Sequence, residues 1–585
     1  MKTNMILSAS GWRKVFAISG QEQDKTAMIG EDNIAISIYS AKVFSDYIKN
    51  KTGKKNPTVL LGMDARPTGP AISEAAIKTF ISQDINVRFI GITAAPEIMA
   101  ASRNADGFMY ISASHNPVGH NGIKFGLSSG GVLNGTENAN LVKEFNALCE
   151  KEDAQKKAFD LIQYVPEKNI EEIYRKSKDV KEETLSLYKK FLQWTISATE
   201  KTEEQHKFFD TIKKASEEKK ISIVADMNGS ARSVSVDRNF FEEKGIGFYA
   251  IHDKPGEIVH EIIPEAENLV YVAGEMEKLQ KKGHTDAVLG YMPDCDGDRG
   301  NIVYWDEKQK KSVILKAQEV FSLSVLSELS YQTYTGKKNT AVCVNCPTSM
   351  RIEEIAEKFN AKVFRAEVGE ANVVNLAAEK RSEGFDVRIF GEGSNGGTIT
   401  YPSAVRDPLN TVFAIIKLLN IKELFKLWCE KSGNEYKPDY SLSDILESLP
   451  AYTTTGVSEP RAVLHIQTKD HSVLKRNFQK IFEKQWKSQK VFLENYGIYG
   501  WECDITNGTK ETLGENDFSK TEKGGLKIKF LDRRGKASAF IWMRGSGTEP
   551  VFRIMCDVKG NNPELEKALL SWETEMLLEA DKISE

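Results

Sequence analysis

The chain has 585 residues, 40% of them hydrophobic and 28% charged, with a formal charge of −4 and a pI near 6.2. That length exceeds one hydrophobic core and points to about four domains. The charge balance argues against a broad nucleic-acid surface, no apolar run reaches bilayer length, and seven irregularly spaced cysteines suit a reducing compartment, with cytoplasm the expected location.

The N-terminus, Met1 to Ser8, meets polar residues before an apolar segment forms, so no cleaved signal peptide is expected. Apolar, β-branched runs then recur, each closed by a Gly, Pro or Asp turn and followed by a helical pattern. They are Thr58–Leu61, Val87–Ile90, Phe108–Ile111, Ile221–Ala225, Ala287–Tyr291, Thr340–Val344 and Val387–Phe390. Strands alternating with helices imply α/β units with parallel sheets. Between them, 150–220 is dense in Glu and Lys and reads as solvated amphipathic helices in a hinge or insertion. Cys343 and Cys346 form a lone CxxC, read as a buried strand running into a turn because no second pair accompanies it. The stretch 430–460 reads as a linker, and Ala462–Gln467, Leu526–Phe530 and Ala537–Met543 as strands of an α+β tail.

Four glycine-rich segments carry chemistry, and three directly follow a predicted strand, where loop amides and helix N-termini gather in open α/β sheets. Ser112-Ala-Ser-His-Asn-Pro117 offers the hydroxyl of Ser114, with His115 and Lys124 close in sequence to activate it. No G-x-S-x-G surrounds Ser114, which excludes a hydrolase elbow. Asp294, Asp296 and Asp298 alternate in one short loop. Two carboxylates about 4 Å apart repel by roughly 4 kcal/mol at an effective dielectric of 20, so the cluster calls for protons or a cation; all-oxygen ligation selects a hard ion, and a small site with phosphate completing the shell favours Mg2+. An EF-hand fails, since Arg299 and Trp305 occupy the positions that need Gly and Glu. Gly391-Glu-Gly-Ser-Asn-Gly-Gly397 can read sugar hydroxyls through Glu392 and Ser394. Arg544-Gly-Ser-Gly-Thr-Glu-Pro550, with Arg553 just beyond, forms an anion nest that lacks the P-loop pattern.

Taken in this order, the segments resemble the α-D-phosphohexomutase superfamily, the phosphoglucomutase and phosphomannomutase enzymes. Ser10-Gly-Trp-Arg13, Gly62-Met-Asp-Ala-Arg-Pro67 and Pro264-Glu-Ala-Glu-Asn-Leu269 add to the likeness. The resemblance implies four domains around a central cleft: three related α/β units with mixed, mostly parallel sheets over 1–205, 206–312 and 313–445, and an α+β domain over 446–585. It implies that Ser114 carries phosphate beside Mg2+ held by Ser114, Asp294, Asp296 and Asp298, and that Arg13, His115 and Lys124 stabilise phosphate or move protons. Whether His115 or Lys124 is the general base stays open. Substrate contacts would come from Arg299, Gly369, Glu370, Glu392, Ser394 and Asn395, and the non-reacting phosphate would rest on Arg544, Ser546, Gly547, Thr548 and Arg553.

The implied reaction is the reversible exchange of α-D-glucose 1-phosphate and glucose 6-phosphate, with glucose 1,6-bisphosphate as intermediate and activator, in a monomer or dimer. The alternative is mannose phosphate, or both sugars; N-acetylglucosamine and pentose phosphates rank below them. A Mg2+-dependent phosphatase using Asp294 stands behind these, because Asp298 occupies the place where D-x-D-x-[TV] needs Thr or Val. A silent sugar-phosphate sensor stands behind it again. The family's F-G-T is replaced by Leu7-Ser8-Ala9, its usual threonine by Ser112, and Gly393 and Asn395 make the sugar loop richer in glycine.

Overall fold

The computed structural model describes residues 1, 3–545 and 551–584. The described residues form two compact units, 1–315 with 399–416, and 316–398 with 417–585.

The first unit holds two mixed sheets. One comprises β1 (Ile6–Ser8), β2 (Gly11–Val15), β3 (Thr58–Met63), β4 (Asn86–Ile92), β5 (Gly107–Ile111) and β6 (His120–Leu127), in the order β1-β2-β6-β5-β3-β4. β5, β3 and β4 run parallel, while β6, β2 and β1 join antiparallel. Every residue of β5 is buried, as in a sheet covered on both faces. The helix Gly30–Thr52 contributes to that cover, and its buried Ser37, Ser40 and Ser45 satisfy their hydroxyls on carbonyls one turn back.

The second sheet contains β7 (Ser222–Asp226), β8 (Gly247–Ile251), β9 (Ala287–Pro293), β10 (Gly300–Asp306) and β11 (Lys311–Ile314), in the order β11-β10-β9-β7-β8. β8, β7 and β9 are parallel, and β10 turns back antiparallel on β9.

The charged stretch becomes the helices Ala154–Ile162, Glu167–Ser197 and Thr202–Glu218. It is more than a solvated insertion. The long helix buries Ile170, Val180, Tyr188 and Leu192, and its Lys181 reaches the fully buried Glu97 at 2.7 Å. Tyr188 donates to Asp407 at 2.7 Å, beside Arg232. The outward charges are what composition displays; the inner stripe is what anchors the helix.

In the second unit, β12 (Thr340–Asn345), β13 (Lys362–Ala366) and β14 (Asp386–Glu392) run parallel, with β12 central and buried throughout. An antiparallel sheet follows, built on Gly500–Asn507, Gly525–Leu531, Ala537–Gly545 and Val551–Lys559 and packed by the helices His471–Asn495 and Pro563–Lys582. The predicted strand Ala462–Gln467 shortens to Val463–His465, after a turn at Pro460–Ala462. The expected linker contains a helix, Leu442–Ser448, entered through a capping box between Ser441 and Asp444. All seven cysteines are buried and free. No helix among the described residues is long and apolar enough to cross a membrane.

Candidate functional site

Within the first unit, β5 delivers the Ser114 loop and β9 the aspartate loop. Ser114 is 2% exposed and takes a left-handed backbone, φ +54°, which an L-residue holds only when its surroundings enforce it. Arg66 supplies that enforcement. Its buried guanidinium is fixed by Asp64 at 3.0 Å and donates to the carbonyls of Ser114 and Asn116 at 2.7 Å and of His120 at 3.2 Å, and also to Pro117. The Ser112 hydroxyl accepts from the Ser114 amide at 2.8 Å and donates to Asp296 at 3.1 Å. Asn121 bonds Thr68 at 2.9 Å and the Gly122 amide at 2.8 Å, which shapes the return into β6.

The Ser114 hydroxyl donates to Asp294 Oδ2 at 2.7 Å. Asp294, Asp296 and Asp298 are buried, with ligand atoms within 4.8 Å of one another. Gly297 makes the turn at φ +70°, where a Cβ would lie 2.3 Å from Arg232 Cγ. The cations around the triplet come from distant parts of the chain. Lys124 on β6 donates to Asp296 at 2.7 Å and stands 3.8 Å from Asp298. Arg406 donates to both oxygens of Asp298 at 3.1 Å. The Arg299 backbone amide donates to Asp294 at 3.1 Å, and its guanidinium lies 3.9 Å from the same carboxylate. Arg13, half-buried on β2 opposite Gly122, adds a further charge within reach of Asp296.

Burial and the neighbouring carboxylates Asp296 and Asp298 push Asp294 well above the usual carboxylate range. Burial would raise Asp296 too, but Lys124 overrides it and holds that carboxyl below its ordinary value. The same pair keeps the Lys124 ammonium above its usual value despite complete burial. Arg299 first, then burial, Arg13 and Arg406, drive the His115 imidazole well below its usual value, so it is neutral at pH 7. With all three aspartates ionised, Asp296 Oδ1 is buried without a hydrogen-bond donor. A proton on Asp294 or a hard cation satisfies it, so the donor set fits Mg2+.

In the second unit, Glu392 ends β14 and Gly393–Asn395 forms a single turn. Gly391 sits at φ +145°, where a Cβ would lie 1.9 Å from the Gly397 carbonyl. Asn345 Nδ2 donates to Glu392 at 3.2 Å and to Ser394 at 3.0 Å. The Gly369 amide donates to Glu392 at 2.8 Å, and Asn395 to its other oxygen at 3.3 Å. Gly369, Glu392, Ser394 and Asn395 therefore form one bonded group, with Glu370 opening the adjoining helix. Arg544 pairs with Glu367 at 2.9 Å, and Glu367 also accepts from Thr506 at 3.1 Å. Arg553 stands opposite Arg544 in register and donates to the Val457 carbonyl at 3.0 Å. Ser546, Gly547 and Thr548 lie outside the described residues.

Arg406, Asn345, Glu367 and Thr348, whose hydroxyl accepts from the Gly393 amide at 3.0 Å and donates to Asn345 at 2.6 Å, contribute without any sequence motif of their own. Only Asn345 carries a signal, since it directly follows the predicted run Thr340–Val344.

Residues 20–152 match the family model "Phosphoglucomutase/phosphomannomutase, alpha/beta/alpha domain I", and residues 322–450 that of domain III. Phosphoglucomutase/phosphomannomutase of Thermococcus kodakarensis is 25% identical over 517 residues, 87% of this chain and 88% of that one. Phosphoglucosamine mutase of Methanococcus aeolicus is 25% identical over 509 residues, 86% and 88% of the two chains. In fold, the chain is similar to parafusin, a Paramecium phosphoglucomutase in its open form, with a TM-score of 0.60 and 16% identity over 99% and 95% of the chains. A phosphoglucomutase/phosphomannomutase family protein of Burkholderia thailandensis gives 0.59 and 16% over 99% and 97%.

Proposed function

The chain belongs to the α-D-phosphohexomutase superfamily, whose members are mutases, and on that premise we propose that it interconverts α-D-glucose 1-phosphate and glucose 6-phosphate. The observation that carries the reading is the buried Ser114 hydroxyl, bonded at 2.7 Å to Asp294 in an aspartate triplet that Lys124, Arg299 and Arg406 contact and Arg13 faces. Phosphoryl transfer needs positioning and charge neutralisation more than covalent activation, and here a shielded hydroxyl is bonded into a carboxylate cluster that cations surround.

In the proposed cycle, phospho-Ser114 gives its group to the free hydroxyl of the bound sugar. The resulting glucose 1,6-bisphosphate turns over and returns the other phosphate to Ser114. Mg2+ held by Asp294, Asp296, Asp298 and the serine phosphate would supply charge stabilisation there. Arg13, Lys124 and Arg299 neutralise the moving group, and His115 or Lys124 transfers the proton. Glu392, Ser394 and Asn395 read sugar hydroxyls, Gly369 and Glu370 contribute to specificity, and Arg544, Ser546, Gly547, Thr548 and Arg553 grip the stationary phosphate.

Glucose and mannose share the hydroxyls that Glu392 and Ser394 would read, so mannose phosphate is the alternative substrate. Similarity to the Methanococcus aeolicus enzyme adds glucosamine phosphate as a third. Coupled assays of glucose, mannose and glucosamine 1-phosphates, primed with the bisphosphate, test the reading. Turnover of glucose 1-phosphate with phosphate recovered on Ser114 supports it. Release of inorganic phosphate without isomerisation overturns it.

A further inference from the structure

A second cluster lies where β7 ends. The Asp226 carboxylate is fully buried, and each of its oxygens faces an imidazole: Oδ1 is 2.9 Å from His252 Nδ1, and Oδ2 is 2.9 Å from His260 Nε2. The three ligand atoms all fall within 4.8 Å of one another. We propose that Asp226, His252 and His260 form a second cation site, built for Zn2+ or a similar first-row divalent ion.

The deciding atom is His260 Nδ1, which lies 2.9 Å from the Glu261 carbonyl. A carbonyl only accepts, so Nδ1 carries the ring proton. In the neutral ring Nε2 is then a lone pair pointing at a carboxylate oxygen. Two acceptors do not rest at 2.9 Å unless positive charge lies between them, and a metal ion or a proton, on the ring or on the carboxyl, provides it. Fixing the far nitrogen on a backbone carbonyl is how proteins orient metal-binding histidines. Tyr271 stacks on His260 at 4.2 Å and 5° and meets His252 edge-on, so both rings are held. Asn228 pins the chain on either side: it accepts from the Val259 and His260 amides and donates to the His260 and Glu261 carbonyls.

Two imidazoles and one carboxylate suit Zn2+ and disfavour Mg2+, which prefers oxygen alone. The two clusters of this unit thus differ in ligand hardness and would sort the two ions between them. The loop bearing His260 also walls a cavity of about 270 Å3 that His115 and Pro117 share with Val259 and Glu261. An ion on His260 would stiffen the wall facing His115.

The test uses the full chain, stripped by chelator, saturated with Mg2+ and titrated with Zn2+ in a calorimeter. One equivalent is expected to bind in the wild type and in an Asp294→Asn/Asp296→Asn variant. His252→Gln and His260→Gln should each weaken binding at least about tenfold and abolish the rise in Tm that Zn2+ brings. Absence of stoichiometric uptake, uptake unchanged in both histidine variants, or uptake lost only with the aspartate triplet would overturn the proposal and leave a protonated His–Asp–His bridge. A crystal of the Zn2+-soaked wild type, read at the zinc absorption edge, decides independently of how the variants fold. The expected anomalous peak lies among the three side chains, with His260 Nε2 and Asp226 Oδ2 moved apart to about 3.3 Å, the spacing of tetrahedral zinc ligands; no peak there refutes the site.

Discussion

Arg66→Lys isolates the support of the Ser114 loop from the chemistry. The guanidinium serves five acceptors: the Asp64 carboxylate and the carbonyls of Ser114, Asn116, Pro117 and His120. A lysine ammonium has three donors on one atom and cannot reach a fork of that width, so at least two carbonyls lose their partner. At ~1–3 kcal/mol for each unsatisfied buried group, about 2 kcal/mol or more is withdrawn from a loop that already holds Ser114 at φ +54°. Two kcal/mol is roughly 30-fold in the balance between held and released loop, so exchange of 112–120 should quicken by about that factor and kcat should fall by up to as much, with KM within about twofold of wild type. Steady-state kinetics on glucose 1-phosphate, paired with hydrogen exchange of amides 112–120, measures both sides. Wild-type kcat in this variant, or a loss of kcat with exchange of 112–120 unchanged, would refute the reasoning. Arg66→Met is the contrasting case: it strands the buried Asp64 and should cost ~3–5 kcal/mol of global stability.

Ser114→Ala should lower kcat by roughly 10³-fold or more with circular dichroism unchanged, and retained turnover would contradict the phosphoserine route. Arg544→Ala should raise KM about 10- to 100-fold through lost phosphate contact, whereas a fall in kcat alone would speak against that role. Glu573 is fully buried with both carboxylate oxygens unpartnered, and burial lifts its carboxyl well above the ordinary 4.5. Its stability contribution is therefore complete below pH 4.5 and is lost as pH rises toward the raised value. Keeping that proton above pH 4.5 is a cost that grows with pH, so Glu573→Met should raise Tm at pH 7 by an increment that shrinks toward pH 4.5. An increment flat from pH 5 to 7.5 would contradict this assignment.

Strand ends were the most legible part of the sequence, because both the apolar runs and the Gly and Asp turns that stop them are local signals. β3, β5, β9 and β14 each extend the predicted run by one to three residues. The aspartate triplet and Ser114 were legible for the same reason. Arg406 was not, because its meaning is a bond to Asp298 across 108 positions. Arg66 stood inside a motif, but its partners are carbonyls, which side-chain identity does not encode. The helix Leu442–Ser448 was concealed by its polar flanks although Ser441 and Asp444 present the capping spacing. Composition over 150–220 reports the wet face of the long helix and is blind to Tyr188 and Lys181 on its inner face.

Because residues 399–416 belong with 1–315, the ribosome cannot finish the first unit when it has translated Leu315. Arg406, which donates to both oxygens of Asp298, and Asp407, the partner of Tyr188 and Arg232, emerge only after residues 316–398 have left the exit tunnel. A polypeptide stopped anywhere before that segment would carry the acidic triplet with one guanidinium missing, and no single scission of the gene yields this half intact.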